Sequence, residues 1–149
     1  MICLRRSTPK DGLRVMAIWR SAVDATHDFL RLDDRAAIEA ELAAFLPTAP
    51  LWLAVDANDH VLAFMLLDGR KMEALFVAPE ARGTGVGKAL VQHALRMHAD
   101  LTTDVNAQNQ QAVGFYERMG FERTGHSEMD AQGRPYPLIH LRHAARSQN

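Results

Sequence analysis

The chain has a single cysteine, Cys3, no excess of charge of either sign, and no apolar run long enough to cross a bilayer. One cysteine excludes an internal disulfide, and because Cys3 falls in a strand expected over residues 2–7, it reads as a buried, inert thiol rather than a nucleophile. Seventeen basic against eighteen acidic side chains leave a formal net charge of −1. The overall balance therefore offers no electrostatic footprint for nucleic acid or an anionic membrane. The longest apolar runs, such as 61–67, are strand-sized, and Arg5 and Arg6 follow the first apolar residues without a signal-peptide core. An unprocessed, cytoplasmic protein with no membrane partner is the expectation. Internal repeats, linkers and low-complexity segments are also lacking. With 149 residues, 48% hydrophobic and 23% charged, the composition predicts one domain over residues 1–149, long enough to build a core.

What is present is a sequence of alternating patterns. After the first strand, Thr8-Pro9-Lys10-Asp11 reads as a capped helix start with proline in the first turn. A helix to about Asp24 follows, with Leu13, Met16, Ala17, Trp19 or Arg20, and Val23 as its buried stripe. A second helix is expected over Asp33 to Phe45, stopped by Pro47. From Leu51 the pattern turns to β: 51–56, 61–68 and 72–77, separated by Ala57-Asn58-Asp59-His60 and Gly69-Arg70, which predicts an antiparallel meander. A helix from about Gly83 to Met97, a strand near 101–105, a helix over 109–119 and two last strands complete the order.

Residues 77–88, V-A-P-E-A-R-G-T-G-V-G-K, carry the strongest chemical signal: strand, proline turn, alternating glycines and helix start. Amides at a helix N-terminus lack intrahelical partners, and the helix dipole adds roughly half a positive charge there, so an anion fits. A Walker loop is excluded, because Arg82 stands where its first glycine belongs and Ala89 follows Lys88 in place of a hydroxyl residue. The dinucleotide fingerprint fails at position 88, which is lysine rather than glycine. What remains is R-x-x-G-x-G over Arg82 to Gly87. A second signal is Asn109-x-x-Ala112-x-x-Phe115-Tyr116-x-x-x-Gly120-Phe121. At about 100° per residue, Asn109 and Tyr116 return to nearly the same helix face, with small Ala112 between them. Phe115 and Met119 read as core, and Gly120 suits the left-handed position that ends a helix.

Together these two segments resemble the cofactor motifs of the GNAT N-acetyltransferase superfamily, and the element order extends that resemblance over nearly the whole chain. Ala25-Thr26-His27-Asp28-Phe29-Leu30, between the first two helices, and the closing Gly133 to Leu138 resemble small bacterial members. The resemblance implies an α/β (α+β mixed) fold with a predominantly antiparallel mixed sheet and helices on both faces. It implies transfer of an acetyl group from acetyl-CoA to a primary amine by direct attack in a ternary complex. Backbone groups of Leu75, Phe76 and Val77 would pair with the pantetheine arm. The loop Arg82, Gly83, Thr84, Gly85, Val86, Gly87 and Lys88 would hold the pyrophosphate, and Asn109 and Tyr116 would meet the arm and its sulfur. Thr26, His27, Asp28 and Phe29 would border the acceptor.

A phenol near pKa 10 protonating a thiolate near 8.5 is uphill by roughly 2 kcal/mol, so a hydrogen bond from Tyr116 is the minimal role. A lysine-like amine near pKa 10.4 is about 99.9% protonated at pH 7, and a base is required. Glu73 is the first candidate by resemblance, followed by His27 and Asp28, with Asp68, Asp104 and Glu128 also near strand ends. His140 and His143 have metal-pair spacing only on a helix, which is not expected there, and no metal is expected. Ser7, Ser21 and Ser127 lack a G-x-S-x-G context. The acceptor stays open among a small amine, a protein lysine and a protein N-terminus, and near-neutral charge speaks against RNA. The other reading is a non-catalytic acetyl-CoA sensor or partner-binding subunit. Edge strands at both ends make a homodimer reasonable.

Overall fold

The computed structural model describes residues 1–26 and 29–144. Their elements run β1 (Cys3–Arg6), α1 (Gly12–Thr26), α2 (Leu32–Phe45), β2 (Trp52–Val55), β3 (Val61–Asp68), β4 (Lys71–Val77), α3 (Val86–Met97), β5 (Thr102–Asn106), α4 (Gln110–Arg118), β6 (Phe121–Ser127) and β7 (Leu138–His143). The strands form a mixed seven-stranded sheet in the order β1-β2-β3-β4-β5-β7-β6. Contacts divide the chain into two compact units, one made of Met1–Leu66 with Ala74–His93, the other of Leu67–Glu73 with the chain from Ala94 onward.

In the first unit, β1 pairs antiparallel with β2, and β2 with β3. Leu53, Ala54, Ala63, Phe64 and Met65 of these strands are fully buried, as are Leu90 and Val91 of α3. Each such large side chain contributes about 1.5–3 kcal/mol by leaving water. The buried face of α1 is Val15, Met16, Ile18, Trp19, Ala22 and Val23. Leu13, expected in that stripe, is exposed, and Trp19 rather than Arg20 faces inward. The helix proper starts only at Gly12, after a 3-10 turn over Pro9–Asp11, which rotates Leu13 onto the outer side.

Cys3 is also corrected: it is exposed, because β1 is the edge strand and its two terminal residues face out.

In the second unit, β5 pairs antiparallel with β7, and β7 with β6, while β4 pairs parallel with β5 through Lys71↔Thr102 and Met72↔Thr103. One face is apolar and buried: Met72, Val105 and Leu141, with Thr103 donating its hydroxyl to the Met72 carbonyl at 2.9 Å. Period-2 alternation sends their neighbours Lys71, Glu73, Thr102, Asp104, His140 and Arg142 to the other face.

Candidate active site

The glycine loop lies in the first unit. Beyond β4, the Ala78 amide donates to the Leu62 carbonyl at 2.8 Å, and Pro79–Ala81 makes one 3-10 turn. Gly83 and Gly85 then take left-handed φ values of +77° and +88° around Thr84. A Cβ at either position would meet nothing within 4 Å, so backbone conformation, not crowding, selects glycine there. Successive amides alternating into the left-handed region form an anion-binding concavity. The Ala89 amide closes the first turn of α3 on the Gly85 carbonyl at 2.9 Å, which leaves the amides of Val86, Gly87 and Lys88 ahead of the helical ladder. Arg82, Thr84 and Lys88 are exposed. The helix begins at Val86 instead of the expected Gly83, because the positive φ angles of Gly83 and Gly85 cannot continue a right-handed turn. The loop therefore presents open backbone amides directly ahead of α3, the geometry of an anion site.

Leu75, Phe76 and Val77 close β4 half-buried, with the Phe76 ring 5.6 Å from that of Phe64. Of the expected acceptor-side residues, Thr26 is the last residue of α1 and Phe29 is half-buried. His27 and Asp28 lie outside the described residues.

The second unit holds Asn109, Tyr116 and Glu73. The side-chain oxygen of Asn109 accepts from the Ala112 amide at 3.2 Å and caps α4, which leaves its NH2 group for other contacts. Tyr116 and Val113, not Phe115 and Met119, are the buried residues of this helix. The Tyr116 ring lies edge-on to Phe115 and Phe121 at 5.1 and 5.4 Å. Burial pushes its phenol well above the ordinary value, so the hydroxyl keeps its proton at neutral pH.

Glu73 is exposed and 3.8 Å from the Lys71 ammonium, which sits closer to Asp104, at 3.0 Å. Asp104 is the more structured carboxylate. Its other contact is His140 Nδ1 at 2.7 Å, and His140 Nε2 lies 2.7 Å from Ser127 Oγ. Burial alone would raise the Asp104 carboxyl, but the hydrogen bonds and charges of His140 and Lys71 outweigh it and hold the group below its usual range. The Lys71 ammonium is raised by its hydrogen bond to Asp104, against the opposing effect of burial. Sequence reading named Asp104 only as one of several strand-end carboxylates and set His140 and Ser127 aside. Alternation along β5 and β7 shows which residues share a face within each strand. The register that brings the three together is not in the text.

A family model described as an acetyltransferase (GNAT) domain matches residues 24–136. The peptidyl-lysine N-acetyltransferase YjaB of Salmonella typhimurium is 55% identical over 95% of this chain and 97% of its own length. The solution structure of apo-form YjaB from Escherichia coli superposes with a TM-score of 0.93 at 51% identity, covering 98% of this chain and 99% of that one. The PaiA N-acetyltransferase of Thermoplasma acidophilum, in complex with coenzyme A, shares the fold at a TM-score of 0.74 and 16% identity, over 97% of this chain and 99% of that chain. The matching family model, the near full-length relative and the shared sheet establish that this chain belongs to the GNAT family and is an N-acetyltransferase.

Proposed function

We propose that this chain acts as one acetyl-CoA-dependent domain that acetylates the side-chain amine of a protein lysine by direct attack in a ternary complex. The observation that carries the cofactor reading is the pair of left-handed glycines, Gly83 and Gly85, set directly before the open N-terminus of α3. The YjaB relative, named for peptidyl-lysine, supports the acceptor.

When bound, acetyl-CoA supplies the acetyl thioester. The backbone of Leu75, Phe76 and Val77 pairs with its pantetheine arm as an added strand. The amides of Arg82 to Lys88 hold the pyrophosphate, and the exposed Arg82 and Lys88 side chains add charge, since neither forms an ion pair among the described residues. Asn109 keeps its NH2 group for the arm. Tyr116 donates its hydroxyl to the sulfur, and its raised pKa favours a hydrogen bond over full proton transfer. Glu73 draws the cationic acceptor to the polar face of the second unit, where its proton is removed.

Isothermal titration of the purified protein with acetyl-CoA, beside Gly85→Glu, tests this. Micromolar binding by wild type, abolished in a folded variant that puts a carboxylate into the anion site, is the expected result. Absence of binding by folded wild type would refute the reading. Binding without acetylation of any lysine peptide or small amine would favour a sensor instead.

A further inference from the structure

Asp104 and His140 stand directly opposite one another on antiparallel β5 and β7. Ser127 pairs with Leu138, two residues before His140, so all three side chains share one face. A register shift between Arg123 and Gly125 brings glycine opposite His140, where a Cβ would lie 3.6 Å from the ring. The His140 and Asp104 side chains are 34% and 27% exposed, sheltered enough to be ordered and open enough to be reached.

The hydrogen-bond chain has a direction. An ionised carboxylate only accepts, so His140 Nδ1 must carry the proton that it donates to Asp104 Oδ1. In the neutral ring Nε2 is then a lone pair, and Ser127 Oγ lies 2.7 Å from it, placed to pass it a proton. Among the described residues, the charged groups that these strands place on this face are Lys71 and Glu73 of β4, Asp104 of β5, Arg142 of β7 and Glu122, which pairs with Arg142 from β6, and Asp68 of β3 also acts on the Lys71 ammonium. Carboxylates outnumber cations among them, a surplus that attracts a cation.

Resting on the acetyltransferase reading, we propose that Ser127, His140 and Asp104 are a proton relay for an alkylammonium acceptor. Ser127 Oγ takes a proton from the ammonium as its own passes to His140 Nε2. One N–H bond and the old O–H bond break, a new O–H and an Nε2–H bond form, and the freed nitrogen lone pair becomes the nucleophile. The imidazolium is held by Asp104, a positioning residue, and later yields its proton to water. A positioned base contributes about 10²–10⁴-fold.

Two measurements test the relay. The first is the 15N shift pattern of the neutral His140 ring in uniformly labelled protein, which reports the tautomer whether or not an acceptor is turned over. The Nδ1–H form is expected, and the Nε2–H form would overturn the relay. The second uses acetyl-CoA with a synthetic peptide carrying one lysine. Ser127→Ala and His140→Gln should lower kcat about 100-fold at pH 7, with KM for acetyl-CoA within twofold and the deficit closing towards pH 10, where the amine is free. Ser127→Thr should recover most of the rate, and Asp104→Asn should move the acidic limb of the pH profile down. Variants that keep both rate and pH profile would overturn the relay while the acetyltransferase reading stands. Failure of wild type to bind acetyl-CoA by calorimetry would remove that reading itself.

Discussion

The ring of Tyr116 in α4 meets that of Phe121, the first residue of β6, edge-on with centroids 5.4 Å apart. This contact uses the ring and not the hydroxyl, so Tyr116→Phe should keep the packing and the fold. Loss of one hydrogen bond of about 1–1.5 kcal/mol predicts a roughly tenfold slower single-turnover acetylation, with acetyl-CoA affinity within twofold. A hundredfold loss in rapid-quench measurements would assign full proton donation instead.

Gly83 offers a test of the loop conformation by itself. Alanine there meets nothing, so its cost is the left-handed backbone alone, about 1–2 kcal/mol. Gly83→Ala should weaken acetyl-CoA roughly tenfold by calorimetry. Gly69→Ala carries the same strain at φ +59°, also in open space, in the turn between β3 and β4. It should cost similar stability and leave affinity unchanged.

Gly12 opens α1 with ordinary helical φ, where alanine usually adds up to about 1 kcal/mol of helix propensity. Here the added Cβ would stand 2.7 Å from the Pro47 Cβ, part of a ring that cannot swing aside. Gly12→Ala should therefore lower the melting temperature, with overpacking of about 1–3 kcal/mol exceeding the propensity gain. A higher melting temperature would show that the turn containing Pro47 yields freely.

Asp11 accepts hydrogen bonds from the Arg5 guanidinium at 2.9 and 3.0 Å and from the Thr8 amide at 2.8 Å. The Arg5 hydrogen bond is the main cause that brings its carboxyl down to about 2. A depressed folded value stabilises the protein fully above the unfolded value of about 3.9, and that stability is lost as pH falls through the folded value. Asp11→Asn should lower the melting temperature by about 2–4 °C at pH 7, corresponding to about 1 kcal/mol for a pair near the surface. Thermal scans should show the gap closing between pH 4 and pH 2.

Much of the local structure was legible because it is written in contiguous residues. β3 was expected over 61–68 and occupies Val61–Asp68. Gly120 was expected to be left-handed and has φ +99°. The glycine loop was expected from twelve consecutive residues, and Gly83 and Gly85 in it are left-handed, because such a turn needs only local backbone geometry. Errors arose where the answer depended on distant chain. Cys3 reads as interior by its chemistry, yet the edge position of β1 exposes it. Leu13 matches a helical period, but the 3-10 turn before it changes the phase.

The sequence by itself determined the order of elements, the family and the left-handed glycine loop before α3, because periodicity, glycine placement and capping act over a few residues. Only the tertiary structure decided that Asp104, His140 and Ser127 form one hydrogen-bonded chain. Their side chains meet through the pairing of β5 with β7 and of β7 with β6, including one register shift. A slip of one residue in either pairing would turn the groups to opposite faces. That register is set by burial of Val105, Leu141 and Phe121 on the other side of the sheet, a cooperative packing outcome that no short window of sequence contains.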